Sequence, residues 1–189
     1  MVRIATVEDA EVLLKIYSYY IEHTAITYEY TIPDNEEFRE RIRTTLKKYP
    51  YLVYEVNDRI LGYAYAGPFN RRAAAAWMVE TSVYVHRNYG GRGIGKILYE
   101  ELEKYLKKQN YLTLIACVTE SRVANEYITK KSVEFHQHMG YERVGTIREA
   151  GYKFQFWYDL VFLKKQIGDY IIEPAEIVAF PDICNDVTE

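Results

Sequence analysis

The first part of the chain shows hydrophobic residues at helical spacing. After a short apolar stretch from Val2 to Ala5, apolar residues between Val7 and His23 recur every three or four positions, as they do along the buried face of an amphipathic helix. Thr6 stands where this helix would begin, and threonine is a good N-cap. A second helix is predicted from Pro33 or Asp34 to Leu46, because its apolar residues are spaced by four.

From Pro50 onward the hydrophobic period changes to that of strands, and later alternates between strands and helices. The predicted order along the whole chain is strand, two helices, three strands, helix, strand, helix and two strands. This order indicates a mixed α/β fold whose antiparallel first half is followed by strand-helix-strand crossovers. The predicted strands are 51–56, 60–66, 76–86, 112–118, 141–147 and 154–163, and the predicted helices are 93–108 and 132–139.

Composition narrows the class of protein. The chain has 189 residues, of which 49% are hydrophobic and 27% charged, as expected for one globular domain. A net charge of −3 argues against nucleic-acid binding, and no stretch approaches the roughly 18 apolar residues of a membrane span. The start of the chain does not resemble a secretory leader, so a cytoplasmic location is expected. Cys117 and Cys184 have neither disulfide-framework nor metal-ligand spacing, and no metal is expected.

A glycine cluster between a predicted strand and a predicted helix is the most informative segment. Gly90, Gly91, Gly93 and Gly95 fall within six positions. Glycines allow main-chain amides to approach a phosphate closely, and the start of a helix adds unsatisfied amides and a positive dipole end. The segment therefore predicts an anion site.

The spacing of these glycines separates three kinds of phosphate loop. A nucleotide-triphosphate loop needs a hydroxyl where Ile97 stands, and a dinucleotide loop needs glycine where Lys96 stands. What remains is the segment from Arg92 to Gly95 opening a helix. The alternative is a turn that only joins strand to helix, although four glycines are costly for a simple turn.

This loop resembles the pyrophosphate loop of the GNAT superfamily of acyl-CoA N-acetyltransferases, Gln/Arg-x-x-Gly-x-Gly/Ala, with which Gly90 to Gly95 aligns. The chain is most similar to the phosphinothricin acetyltransferase family, in motif order and approximate spacing over residues 2 to 165. The motifs are Gly67 to Phe69, Trp77 to Val85, Ser132 to Tyr141, Gly145 to Thr146, Ala150 to Lys153 and Trp157.

The resemblance implies a GNAT-type fold, with a central twisted mixed sheet flanked by helices, over residues 1–167, followed by a C-terminal extension at 168–189. It implies acetyl-CoA as co-substrate and direct attack of a primary amine on the thioester. The pyrophosphate would lie on Gly91, Arg92, Gly93, Ile94, Gly95 and Lys96, and the pantetheine arm along Val83, Tyr84 and Val85. Thr129 replaces an asparagine that commonly holds CoA, and Asn125 is the candidate to take its place.

Two residues are candidates for the proton transfers that amine acetylation requires. Glu80 lies in an apolar strand, where desolvation would raise the pKa of a carboxylate, and it matches the family's glutamate base. The alternative is an outward-facing strand glutamate. His136 matches a family histidine at the place where many GNAT enzymes carry the tyrosine that donates to the thiolate. The alternative is a helix histidine that is only packed or solvated.

The resemblance also suggests three contacts to the acceptor. Tyr28 lies in the loop between the first two helices, Arg72 in the loop after Gly67 to Phe69, and Tyr152 in a late family motif. Arg72 has the geometry to bind a carboxylate or phosphinate, or is simply solvated. The family places a tyrosine where Ala75 stands, which questions phosphinothricin itself as the substrate.

The predicted function is acetyl transfer to a small amino-acid-like amine of the phosphinothricin or methionine sulfone and sulfoximine type. One alternative is an acetyltransferase for another amine or a protein N-terminus, and another is a non-catalytic acetyl-CoA sensor. The resemblance also suggests a homodimer.

Overall fold

Seven strands form one mixed sheet in the computed structural model, which describes residues 1–184. Their order across the sheet is β1-β2-β3-β4-β5-β7-β6, and every neighbouring pair is antiparallel except β4 and β5. The predicted succession of strands and helices is therefore present. The strands are β1 (Val2–Ile4), β2 (Tyr51–Val56), β3 (Arg59–Pro68), β4 (Met78–Val85), β5 (Thr113–Glu120), β6 (Glu142–Lys153) and β7 (Phe156–Gln166).

Helices cover both faces of this sheet. The first helix begins after a short 3₁₀ turn at Val7–Asp9, and the Asp34 side chain caps the second by accepting from the amide of Glu37. Leu98 and Leu102 of the third helix pack with Val79 in one hydrophobic core. The first two helices pack in another, on the opposite face. The helices are α1 (Ala10–His23), α2 (Asn35–Leu46), α3 (Ile94–Lys108), α4 (Lys131–His138) and α5 (Phe180–Cys184).

Alternation along β4 decides which side chains face which core. Val79 belongs to the core beneath α3, whereas the Tyr84 ring meets the Tyr17 ring of α1 at a centroid distance of 5.0 Å. Because side chains alternate between the faces of a strand, Glu80 lies on the face of α1 and α2. The pattern of the sequence had left this orientation open.

The parallel strands β4 and β5 separate part of the way along their length. Their pairing covers Met78↔Thr113, Val79↔Leu114 and Glu80↔Ile115, and no pair follows, although β4 continues to Val85 and β5 to Glu120. The main chain of β4 beyond Glu80 therefore has no partner strand on this side, and a cleft opens between the two strands.

The last hairpin differs from the predicted pattern. β6 continues to Lys153 through a bulge after Ile147, and it turns into β7 at Phe154 and Gln155, which have φ angles of 50° and 66°. The segment 148–151 has no alternating hydrophobic residues, so the prediction ended the strand at residue 147.

As far as Cys184, the extension packs on the domain. The indole nitrogen of Trp77 donates to the carbonyl of Ala175 at 2.7 Å, and Phe180 of α5 is buried. The remaining part of the predicted extension, 185–189, lies outside the described residues.

Within residues 1–184, no helix is both long and apolar enough to cross a membrane. The same stretch of chain contains no group of three or more His, Cys, Asp and Glu residues arranged to hold a metal ion.

Candidate active site

The cleft between the separated ends of β4 and β5 is the first candidate site. It has a volume of about 400 Å³ and is lined by β4, the glycine loop, β5 and the facing sides of α3 and α4. Most residues predicted to bind the co-substrate line it, namely Val83, Tyr84, Val85, Gly91, Gly93, Ile94, Gly95 and Lys96, together with His136. Arg92 does not line the cleft, because its guanidinium lies over the Tyr89 ring, 5.0 Å from the centroid.

The glycine loop presents the start of α3 to the cleft. Gly91 and Gly93 have φ angles of 76° and 80°, in the left-handed region where a side chain is strained. Gly93 is the N-cap of α3 and has no side chain to occupy the first free amides of the helix. Free amides and a positive helix end are what an anion site requires, and anion binding at this loop stays a prediction. A Cβ on Gly95 would lie 3.3 Å from the Phe135 ring, so this glycine allows α3 to approach α4.

Glu80 is half-buried at the point where β4 and β5 separate. Burial raises the pKa of its carboxyl, and a hydrogen bond from the Cys117 thiol opposes this shift. Burial, and next the nearby Glu80 carboxylate, raises the pKa of Cys117 to about 12, so the thiol remains protonated. Glu80 is therefore a desolvated carboxylate with a hydrogen-bond donor beside it, which suits a general base near neutral pH.

His136 lies on the buried side of α4, and both of its ring nitrogens have hydrogen-bond partners. Its Nδ1 is 2.7 Å from the carbonyl oxygen of Ser132 and its Nε2 is 3.1 Å from the Tyr99 hydroxyl. A carbonyl only accepts, so Nδ1 carries the proton and Nε2 accepts from the Tyr99 hydroxyl. Burial lowers the pKa of His136 to about 4, so the ring is neutral at pH 7. Its catalytic role remains a prediction.

Tyr99 is a further residue of the cleft that the sequence reasoning missed. Its side chain lines the cleft, and burial raises the pKa of its hydroxyl well above the ordinary value. Its spacing offered a signal, since Tyr99 follows Gly95 by four positions and therefore shares its side of α3. Both positions face Phe135 of α4.

The connection between α1 and α2 brings Tyr28 to the sheet near the end of β5. The Tyr28 ring lies flat on Gly151, where a Cβ would come 2.5 Å from its Cζ, and its hydroxyl donates to the carbonyl of Asp159 at 3.5 Å. Lys153 is buried and donates to the carbonyls of Thr24 and Thr27 at 3.0 and 2.9 Å. This lysine therefore holds the connection that carries Tyr28.

Three predicted contacts lie away from the cleft. Arg72 is exposed, and the Asn125 side chain bonds within its own loop, donating to Ser121 Oγ at 3.0 Å and accepting from the amide of Tyr127 at 3.0 Å. Tyr152 packs on Trp157 with a ring-centroid distance of 5.1 Å. Strand alternation turns Lys153, and not Tyr152, toward the α1–α2 connection. These surroundings lend no support to the predicted roles of Arg72, Asn125 and Tyr152.

Comparison with known proteins gives a consistent result. Residues 2–162 match a family model described as an acetyltransferase (GNAT) domain. The phosphinothricin N-acetyltransferase of Streptomyces viridochromogenes is 32% identical over 164 residues, which cover 87% of this chain and 86% of that protein. The L-methionine sulfoximine/L-methionine sulfone acetyltransferase of Salmonella typhimurium is 27% identical over 184 residues, covering 97% and 99% of the two chains.

A solved structure extends this similarity to the fold. The phosphinothricin acetyltransferase of Sinorhizobium meliloti, in complex with AcCoA, aligns with a TM-score of 0.85 at 29% identity, over 96% of each chain.

Proposed function

Because this chain belongs to the GNAT acetyltransferase family, we propose that it transfers the acetyl group of acetyl-CoA to the primary amine of a small amino-acid-like molecule. The predicted GNAT-type α/β fold and the similarity to phosphinothricin acetyltransferases are confirmed. The chain is thus an N-acetyltransferase. The observation that carries the proposed mechanism is the position of Glu80, a desolvated carboxylate where the strands that form the cleft separate.

The proposed reaction proceeds by direct attack. Glu80 accepts a proton from the substrate ammonium group, the freed amine attacks the thioester carbonyl carbon, and the bond to sulfur breaks as the amide forms. The co-substrate pyrophosphate is expected on the amides of the loop 91–96, and its pantetheine arm along the free edge of β4. The nitrogen loses its second proton as the amide forms and the departing thiolate gains one, so CoA leaves as the thiol. The proposed donor to the sulfur is the Tyr99 hydroxyl, turned from His136 Nε2 into the cleft, or His136 itself, and the proton lost by the nitrogen restores the donor.

An assay of CoA release across several classes of amine tests this function. The panel contains amino acids, their phosphinate and sulfone analogues, polyamines and short peptides. We expect CoA release with at least one small amino-acid-like amine, and mass spectrometry should find the acetyl group on its nitrogen. CoA release with peptides or polyamines alone would indicate an acetyltransferase for another amine or for a protein N-terminus. Retained acetyl-CoA binding without amine-dependent release would identify a sensor instead.

We also propose that the enzyme is a homodimer. Val144 and Ile147 of the edge strand β6 are 56% and 53% exposed, which is unusual for large apolar side chains close together on one strand. Sedimentation at micromolar concentration is expected to give twice the chain mass. Ile147→Glu should shift the distribution toward monomer, whereas Ile172→Glu, at a fully exposed site, should not. A monomeric wild-type chain at this concentration would contradict the proposal.

We propose a cytoplasmic location as well. Cys117 and Cys184 are both free thiols, and unpaired cysteines suit a reducing compartment.

A further inference from the structure

A second cavity lies next to Glu80, on the face of the sheet that carries the Glu80 side chain. It has a volume of about 670 Å³ and is formed by the starts of β4 and β5, by β7 and by the C-terminal extension. Met78 precedes Glu80 by two positions on β4, and Ile115 is the partner of Glu80 on β5. Both side chains line this cavity. Since alternate and paired strand residues share a face, Glu80 lies at its border. We call this cavity the apolar groove.

Glu80 also borders the co-substrate cleft. Glu80 pairs with Ile115 of β5, which lines the apolar groove, and Cys117, two positions later on the same face of β5, lines the cleft. The carboxylate therefore stands between the two cavities. If the acetyl donor lies in one cavity and the body of the amine in the other, the reacting nitrogen lies where the two cavities meet. A base that removes its proton has to lie at the same place.

We propose that the apolar groove binds the body of the acceptor, and that the preferred substrates are primary amines with a bulky aliphatic or aromatic side chain. This inference rests on the proposed acetyltransferase function and narrows its substrate class. The expected substrate preference differs from the names of the relatives, which refer to phosphinothricin or to methionine sulfoximine and sulfone. These three molecules carry strongly polar side chains.

The walls of the groove carry this inference. Phe69 and Phe162 meet edge to face with centroids 6.0 Å apart, and Trp77 adds a third aromatic ring. Ala74 and Ala75 contribute only methyl groups to the lining, so space remains between the aromatic side chains. Surfaces of this kind favour apolar groups, because burying a charged or strongly polar group without partners is costly.

Charge in the groove is scarce and lies away from Glu80. Among the lining residues in the described part of the chain, Lys164 is the only charged one, and its Nζ lies 5.3 Å from the centroid of the Tyr170 ring. Lys164 pairs with Ile115, so β5 separates it from Glu80. A phosphinate on the side chain of the acceptor would thus lack a forked cationic partner in this groove.

The C-terminal extension forms the outer wall. The Tyr170 hydroxyl hydrogen-bonds to Thr113 Oγ1 at 2.7 Å, and Ile171 and Pro174 complete the lining on this side. The indole nitrogen of Trp77, itself a lining residue, holds the extension through the carbonyl of Ala175. Because the chain closes this side with its own residues, the occupant that fits best is a small molecule.

The test compares kcat/KM for apolar amines, such as phenylalanine and leucine, with that for alanine, phosphinothricin and methionine sulfone. We expect the wild type to prefer the apolar amines. Ala75→Tyr should fill the groove and lower kcat/KM for them by roughly 10- to 200-fold, the range for one steric change in an apolar pocket, with alanine much less affected. Ala73→Tyr is the matched control, since Ala73 is exposed and does not line the groove.

Each result has a defined meaning. Acetylation of phosphinothricin or methionine sulfone in preference to every apolar amine would overturn the inference and leave the proposed function intact. Equal effects of Ala75→Tyr and Ala73→Tyr on the apolar amines would also overturn it. A change in sedimentation with Ala75→Tyr, without a change in amine preference, would assign the groove to a second copy of the chain. If no amine releases CoA, the proposed function fails and this inference fails with it.

Discussion

Replacing Glu80 with glutamine is expected to lower kcat by about 10²- to 10⁴-fold at pH 7, because general-base catalysis contributes a factor of that size. Glutamine keeps the shape of the side chain but has no basic oxygen to accept the proton of the substrate. The loop 91–96, expected to hold the co-substrate, belongs to another segment of the chain, so the dissociation constant of acetyl-CoA should hardly change. Stopped-flow or steady-state CoA release with the best amine measures kcat, and calorimetry measures the dissociation constant of acetyl-CoA.

The pH profile identifies Glu80 as a base. Burial raises the pKa of this carboxyl above its ordinary value, so wild-type activity should fall as the pH decreases through the raised pKa. The acid limb due to Glu80 should be absent in Glu80→Gln. At higher pH more of the free amine is already deprotonated, and the difference between variant and wild type should therefore shrink from pH 7 to pH 9.

The thermal stability of the Glu80→Gln variant shows whether a loss of activity comes from a loss of folding. A carboxyl whose pKa is higher in the folded than in the unfolded state binds its proton more tightly when folded, so its ionised form lowers stability at pH 7. Removing the charge should leave Tm unchanged or slightly higher. Glu36→Gln, on the exposed side of α2, should change neither kcat nor Tm appreciably. A Glu80→Gln enzyme within about threefold of wild type would move the search for the base to His136.

The features that the sequence predicted correctly depend on local patterns. The helix start after the glycine loop is one of them, because the φ angles of Gly91 and Gly93 and the start of α3 follow from neighbouring residues; anion binding at this loop stays a prediction. The buried faces of α1 and α3 follow from helical spacing in the same way. The motif around Glu80 located the candidate base in the sequence. Which face of the sheet its side chain points to follows only from the pairing of β4 with β3 and β5.

The features that remained hidden depend on contacts between distant segments. The contact between Tyr99 and His136 spans 37 positions, and the burial of the His136 ring against Tyr99 of α3, which accompanies its lowered pKa, depends on a segment distant in the sequence. The buried Lys153 donates to two carbonyls of the α1–α2 connection, 129 and 126 positions away, and no local pattern in the sequence indicated this contact. The apolar groove combines β4, β5 and β7 with the extension, so only the folded sheet assembles it.

Replacing Gly93 with valine is expected to weaken acetyl-CoA binding by roughly 10²- to 10⁴-fold. Two effects contribute. Valine at a φ of 80° is strained by about 1–3 kcal/mol, so the free loop should relax to another conformation that binding has to reverse. Loss of charge-assisted amide contacts to a phosphate costs about 1.5–3 kcal/mol more. A Cβ at this position meets no protein atom within 4 Å, so the added side chain would occupy open space at a position that lines the cleft.

A second glycine of the same loop provides the matched control for Gly93. Gly90 also lines the cleft and a Cβ there also meets no atom within 4 Å, but valine adopts its φ of −59° without strain, so this variant tests added bulk without backbone strain. Calorimetric titration with acetyl-CoA should therefore show a much smaller loss for Gly90→Val than for Gly93→Val. Circular dichroism and thermal melting establish that both variants are folded. If a folded Gly93→Val protein binds acetyl-CoA as tightly as the wild type, the pyrophosphate cannot lie on the amides at the start of α3, and the loop is a connection between strand and helix only.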